Sequence, residues 1–135
     1  AQGAKKTAGV NSASAVSGTF SRDDRLRKRR EFEECYASGV RVSGRHIQVF
    51  LLSGGPIARP RLGISVPRRV GNAVVRNRVR RRLREIFRRH RELLPSSALS
   101  LVVNARPSAA PASFEELLED YRTGVGRARP RPPRN

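Results

Sequence analysis

Between Arg76 and Arg84, six of nine residues are arginine, in the run RNRVRRRLR. A guanidinium stays charged and forks two donors onto one phosphate, which an ammonium cannot do. Like charges three or four residues apart on a helix repel. Glu85 is the one acid among the nine arginines from Arg76 to Arg91. A solvated helix face normally mixes signs, so this spacing asks for a polyanionic neighbour. The whole chain agrees, with 29 basic against 11 acidic side chains and a formal net charge of +18. That excess speaks of partners, with nucleic acid and an anionic membrane surface as the candidates. No apolar run approaches the roughly 18 residues needed to cross a bilayer.

Aromatic chemistry is sparse. The 135 residues include five Phe, two Tyr and no Trp. Phe32 and Tyr36 lie one helical turn apart, and Phe50 shares a strand face with His46 and Gln48. Core packing and stacking of unpaired bases both fit these three. No catalytic set emerges. His46 and His90 lack a paired nucleophile. Cys35 is the lone cysteine, expected to pack inward, and it suits a reducing, cytoplasmic setting. Asp23, Asp24, Glu31, Glu33, Glu34, Glu115, Glu116, Glu119 and Asp120 cluster on the first and last helices, as capping and solubilising residues. No Cys or His set has metal-ligand spacing, and no phosphate-binding glycine loop is present. On sequence alone the chain is a binding protein.

The elements that must position these residues follow from periodicity. Residues 25–38 predict a helix, with its start at the Ser21–Asp24 capping signal or near Arg29, and Gly39 stops it. Val40–Val42 is a short strand and Ser43–Gly44 a bend. His46–Ser53 alternates, with Ile47, Val49 and Leu51 on one face and His46, Gln48, Phe50 and Leu52 on the other. A turn begins at Gly54-Gly55-Pro56. Residues 61–66 form a strand ended by Pro67, which pairs most simply as a hairpin with the strand before it.

After Gly71, Asn72 caps a helix whose apolar stripe is Val75, Val79, Leu83, Ile86, Phe87 and Leu94, with Pro95 as its stop. Most of the arginines fall outside that stripe; Arg76 lies on its edge, where it could reach across the sheet. Residues 98–107 are a strand. Residues 113–122 are a helix capped by Ser113 with Glu116 at its third position. The predicted order is α-β-β-β-α-β-α in one α/β domain over 20–123. Residues 1–19 read as a flexible extension and 124–135 as a disordered basic tail. The chain opens without Met, and no apolar block follows Lys5 and Lys6, so no secretory signal is expected.

A basic helix lying between two strands, with no helix at short spacing before it, does not suit major-groove reading of DNA. Structured RNA suits it better. A DNA-binding regulator and a ribosomal or other structural RNA-binding protein of similar fold remain as alternatives.

The segment SVPRRVGNAVVRNRVRRRLREIF resembles the signature of the bacterial ribonuclease P protein subunit. Ser65, Arg68 and Arg69, Gly71–Val74 and Arg76-Asn77-Arg78 carry the likeness. Arg25-Leu26, Phe32 through Tyr36 to Gly39, Arg45, Phe50 and Ala105-Arg106-Pro107 extend it over about 25–122. The resemblance implies an α+β sandwich with a left-handed βαβ crossover, against the general rule. It implies a protein partner, one per catalytic RNA, in the enzyme that removes the 5′ leader of precursor tRNA. The RNA would hold the catalytic Mg²⁺, leaving this chain no catalytic residue, no bound metal and no membrane partner. Phe32, Tyr36 and Phe50 would line a leader cleft bordered by Arg68 and Arg69. Those two arginines, with Asn72, Arg76, Asn77, Arg78, Arg80, Arg81 and Arg84, would face the catalytic RNA. Ile47 departs from the family, which often has an aromatic there. It belongs to the opposite, core face, so the cleft stands.

Overall fold

The computed structural model describes residues 25–54 and 60–129. The Ser21–Asp24 capping signal, the 1–19 extension, the Gly55-Pro56 turn and the tail from 130 lie outside them. The elements are α1 (Arg29–Ser38), β1 (Val40–Ser43), β2 (Ile47–Ser53), β3 (Arg61–Ser65), α2 (Ala73–Arg89), β4 (Ala98–Ala105) and α3 (Phe114–Ala128). Their order is the predicted one.

The sheet order β1-β2-β4-β3 corrects the expected β2–β3 hairpin. β4 inserts between them, antiparallel to β2 and parallel to β3. The sequence of β4 carries the reason. Leu101, Val102 and Val103 are consecutive and all buried, so this strand is covered on both faces and takes a central place. A parallel pair needs a long crossover, and α2 supplies it.

One face of the sheet buries Ile47, Val49, Leu51, Leu62, Leu101 and Val103 under α2 and α3, in the main core with Val79, Leu83, Ile86, Phe87, Leu117 and Tyr121. The other face carries α1 over a smaller core of Leu26, Cys35, Phe50 and Val102. The predicted alternation in β2 therefore holds, and both faces are covered.

Two boundaries differ from expectation. α2 ends at Arg89, where the His90 amide donates to both the Ile86 and Phe87 carbonyls. A 3-10 turn over Arg91–Leu93 then carries Leu94 into the core, so Leu94 is buried without belonging to the helix. α3 runs to Ala128, beyond the expected start of the tail at 124. Val125 and Ala128 are buried, and Gly124 lies so close to β2 that a Cβ there would meet Val49 Cγ2 at 3.1 Å. Packing of this last turn outweighs the helix-weakening glycines, each costing about 1 kcal/mol.

α3 also fixes the β1–β2 bend. The Asp120 carboxylate accepts from the amides of Arg45 (3.1 Å), His46 (2.8 Å) and Ile47 (2.9 Å).

Candidate nucleic-acid interface

α2 begins where Asn72 Oδ1 accepts from the Val75 amide at 3.0 Å, as its cap position requires. Its buried stripe holds the helix to the sheet, and its arginines beyond Arg76 divide into three groups. Arg78 and Arg82 turn toward α3: Arg78 Nη2 donates to the Ala110 carbonyl (2.9 Å) and Arg82 Nη1 to that of Ala112 (2.8 Å). Arg88 and Arg89 flank Glu85, whose carboxyl is held down at about 2, chiefly by the Arg88 hydrogen bond. Arg80, Arg81 and Arg84 are left. They surround a depression of about 610 Å³ with Val74 and Asn77.

Arg80 donates to Asn77 Oδ1 at 2.6 Å, which stiffens it on the surface. Among the described residues no carboxylate pairs with Arg80, Arg81 or Arg84. Partial burial, then the nearby charges of Arg25 and Arg80, pull the Arg84 pKa down. Val74, 72% exposed, is the apolar member of this face. Arg76, expected to reach across the sheet, folds back instead, its Nε donating to the Gly71 carbonyl at 3.1 Å.

The second region lies on the α1 face. Gly63 in β3 makes room for α1, since a Cβ there would meet Phe32 Cε1 and Cζ at 2.7 Å. Phe32 is half-buried over it. Tyr36, 39% exposed, meets the Phe50 ring edge-on, with centroids 4.7 Å apart and planes at 76°. Phe50 itself is only 7% exposed. Its ring faces are used up in the small core, so Phe50 supports Tyr36 rather than offering a base its own face. Of the three aromatics expected to line the cleft, Phe50 is buried, Phe32 half-buried and Tyr36 exposed. Tyr36 is the open one.

Beside Tyr36 runs a groove of about 350 Å³ lined by Gln48, Ser65, Pro67, Arg69, Asn104 and Arg106, with Ala105. Arg69 and its exposed neighbour Arg68 sit on the 3-10 turn between β3 and α2. That turn joins the groove to the arginine helix. Sequence reading placed Arg69 here but missed Asn104 and Arg106. Asn104 had a signal: with Ser100 it is one of two polar residues in this strand, four positions apart and so on one face.

The start of α1 is pinned by Glu31. Its Oε1 accepts from the Arg27 and Lys28 amides at 3.1 and 3.0 Å, and its Oε2 pairs with Arg61 at 2.6 Å. These contacts, the Lys28 amide above all, lower its pKa from 4.5 to about 2 against the opposing effect of burial. A carboxyl whose pKa falls on folding stabilises the fold above its unfolded value, and the contribution drains away as pH drops through the folded value. Glu31→Gln is therefore expected to lose about 1–2 kcal/mol at pH 7. The gap from wild type in urea unfolding should narrow between pH 4.5 and 2. A gap constant across that window would refute the assignment.

Among the described residues the two histidines and the cysteine are each held in structural contacts. His46 Nδ1 lies 2.9 Å from Ser108 Oγ, but Ser108 donates its hydroxyl proton to the Arg45 carbonyl. It is thus engaged as a structural link, with no third group orienting the imidazole. His90 caps α2 and lies 3.6 Å from Glu92. Cys35 is fully buried, donates to the Phe50 carbonyl at 3.2 Å, and has its thiol pushed up to about 11 by burial. Among the described residues no three His, Cys, Asp or Glu side chains group to hold a metal, and no helix is long and apolar enough to cross a membrane.

Fold and surface together define a class: a small α+β protein whose mixed four-stranded sheet carries an arginine helix on its parallel crossover and, on the other face, a polar groove beside Tyr36. A model of the ribonuclease P family matches residues 20–129. The chain is 48% identical over 98 residues to the ribonuclease P protein component of Nocardioides sp., covering 71% of this chain and 83% of the relative. It is 47% identical over 92 residues to that of Desulfovibrio desulfuricans, covering 67% and 70%. The ribonuclease P protein structure from Staphylococcus aureus superposes with a TM-score of 0.69 at 30% identity, covering 78% of this chain and 94% of that one. The Thermotoga maritima protein gives 0.67 at 31%, covering 76% and 96%. The chain belongs to the ribonuclease P protein family.

Proposed function

We propose that this chain is the RNA-binding protein subunit of a ribonuclease P ribonucleoprotein, and assists removal of the 5′ leader from precursor tRNA. In this reading Arg80, Arg81 and Arg84, with Asn77, grip phosphates of the catalytic RNA. Arg68 and Arg69 link that contact to the groove. The groove takes the single-stranded leader, with Tyr36 as a stacking platform and Arg69 and Arg106 as phosphate partners. Asn72, Arg76 and Arg78 serve by shaping α2 and its flanks, since Asn72 Oδ1, Arg76 Nε and Arg78 Nη2 each bond within the chain. The observation that supports this most strongly is the arginine face of α2, where no carboxylate among the described residues pairs with Arg80, Arg81 or Arg84. Such a face gains most from a folded polyanion.

Among the described residues, two carboxylates of the last helix are taken up by the chain's own amides. Both Asp120 oxygens accept backbone amides, and Glu116 Oε1 accepts from the Ser113 amide. In this reading the RNA holds the ions of the reaction, and the work of this chain is to bind and orient. The test is reconstitution. The purified chain should restore cleavage of a precursor tRNA by a bacterial ribonuclease P RNA at low Mg²⁺. Equal cleavage with and without it would overturn the reading, as would a pull-down dominated by ribosomal RNA.

A further inference from the structure

A second run of cations lies at the start of α1. Five of the six residues from Arg25 to Arg30 are basic, and all five are exposed. The sixth, Leu26, is buried in the small core and anchors the backbone that carries them. The fold brings this run to α2. Arg25 bridges Leu62 on the side of β3 away from β4, at the edge of the sheet. The Leu26 amide donates to the Leu62 carbonyl at 2.9 Å, and Arg61 Nη2 donates to the Arg25 carbonyl at 2.8 Å. At that edge the Arg25 charge acts on the Arg84 guanidinium of α2. The cations therefore form one band. It runs from Arg80 and Arg84, past Arg25 at the β3 edge, to Arg27, Lys28 and Arg30 on the other face.

The start of a helix is an unfavourable place for positive charge. Its free amides carry the positive end of the helix dipole, and cations there repel it. Glu31 is the acid of this first turn, and its oxygens are committed to the Arg27 and Lys28 amides and to Arg61. Lys28 holds the cap position with no side-chain cap bond. Arg29 pairs with Glu33 at 3.2 Å. Among the described residues no carboxylate pairs with Arg27, Lys28 or Arg30. Charges set against the dipole and against each other cost the fold stability, and an anion outside the chain offsets that cost.

We infer that the basic start of α1 is a second phosphate-binding surface for the catalytic RNA, taking a stretch of backbone other than the one on α2. This rests on the RNA-binding reading above and adds a surface and a role to it. The two surfaces lie on opposite sides of a sheet edge. A flat anionic membrane cannot touch both at once, whereas a folded RNA can. Two such contacts fix the rotation of the protein about its arginine helix, which one contact leaves free. Because α1 carries Tyr36 near its other end, the same clamp sets the direction in which the groove faces.

The experiment titrates a bacterial ribonuclease P RNA, without precursor tRNA, with the full chain over a range of salt concentrations. One variant combines Arg27→Ala, Lys28→Ser and Arg30→Ala. Its slope of log affinity against log salt should shrink by about three units, one for each lost phosphate contact. It should melt no lower than wild type, because it removes cations from the positive end of a helix and puts serine at the cap. Arg27→Lys with Arg30→Lys, which keeps the charge, should keep the slope. Hydroxyl-radical footprints on the RNA should lose one patch in this variant and a different patch when Arg80, Arg81 and Arg84 become alanine. A wild-type slope in the α1 variant beside a reduced one in the α2 variant would overturn this inference alone. So would loss of the same patch in both, or a melting point that falls in step with affinity. An effect seen only with precursor tRNA present, or only on phosphatidylglycerol vesicles, would assign the cluster to substrate or lipid and overturn it too. A wild-type chain that does not bind the RNA would overturn both readings.

Discussion

Phe50→Ala is expected to lose about 3–5 kcal/mol of folding stability, the usual result of emptying a buried phenylalanine site. The ring occupies the centre of a small core, with Leu26, Cys35 and Val102 around it and Phe32 and Leu52 packed alongside. So few neighbours cannot close over the space. A single domain has only about 5–15 kcal/mol in total, so the loss takes a large share of it. It also removes the edge-on support of Tyr36 and the packing that seats α1. Urea unfolding monitored by circular dichroism measures the effect. Phe50→Leu, which keeps much of the volume, should retain fold and leader affinity. Tyr36→Ala should instead lose about 1–3 kcal/mol of leader affinity with little change in stability. A Phe50→Ala variant that folds like wild type and loses only leader affinity would show that the ring faces the RNA after all.

The contrast between Phe50 and Tyr36 marks what the sequence could and could not reveal. Local periodicity placed both on the correct elements and gave β2 the right inward face. It could not say which residue of the polar-side set α1 would cover, because that depends on Gly63, which arrives from a strand across the sheet. The same limit explains the missing hairpin. Two strands joined by a short loop normally pair, and only the doubly buried run Leu101–Val103 hinted that β4 would come between them. α2 was legible almost whole, since Asn72, the apolar stripe and the arginine excess all act within one helix. Its end was not, because Leu94 reaches the core through a 3-10 turn that continues the apolar pattern by coincidence of phase. Gly124 and Gly126 read as the beginning of a tail because packing against Val49 lies outside any local window.

Among the arginines, residue type and spacing predicted the partner but not the division of labour. Apart from Arg76 at the edge of the apolar stripe, they looked alike in sequence. The structure commits Arg78 and Arg82 to carbonyls of the segment leading into α3 and Arg88 to Glu85. These are internal bonds that hold the helix and its neighbours together. Each also draws a cation away from the crowded face, which lowers the self-repulsion that a chain of charge +18 must overcome to fold.

That division makes the strongest functional prediction one about sets rather than single residues. Replacing Arg80, Arg81 and Arg84 together by alanine should leave the fold intact. Among the described residues none of the three guanidiniums hydrogen-bonds to another element, and alanine favours the helix. RNA affinity should fall steeply, and the slope of log affinity against log salt should shrink by about three units, one for each phosphate that is no longer neutralised. Arg78→Ala alone should behave differently. It removes the bond to the Ala110 carbonyl, so it costs stability while shifting the slope by less than about one unit. Titrating a ribonuclease P RNA with each variant over a range of salt concentrations distinguishes the two. The buried stripe of α2 is untouched in both proteins, so a change in slope reports the charges themselves. If the triple variant keeps the wild-type slope, the α2 surface is not where the polyanion sits. The counter-ion of this face would then have to be sought in another partner.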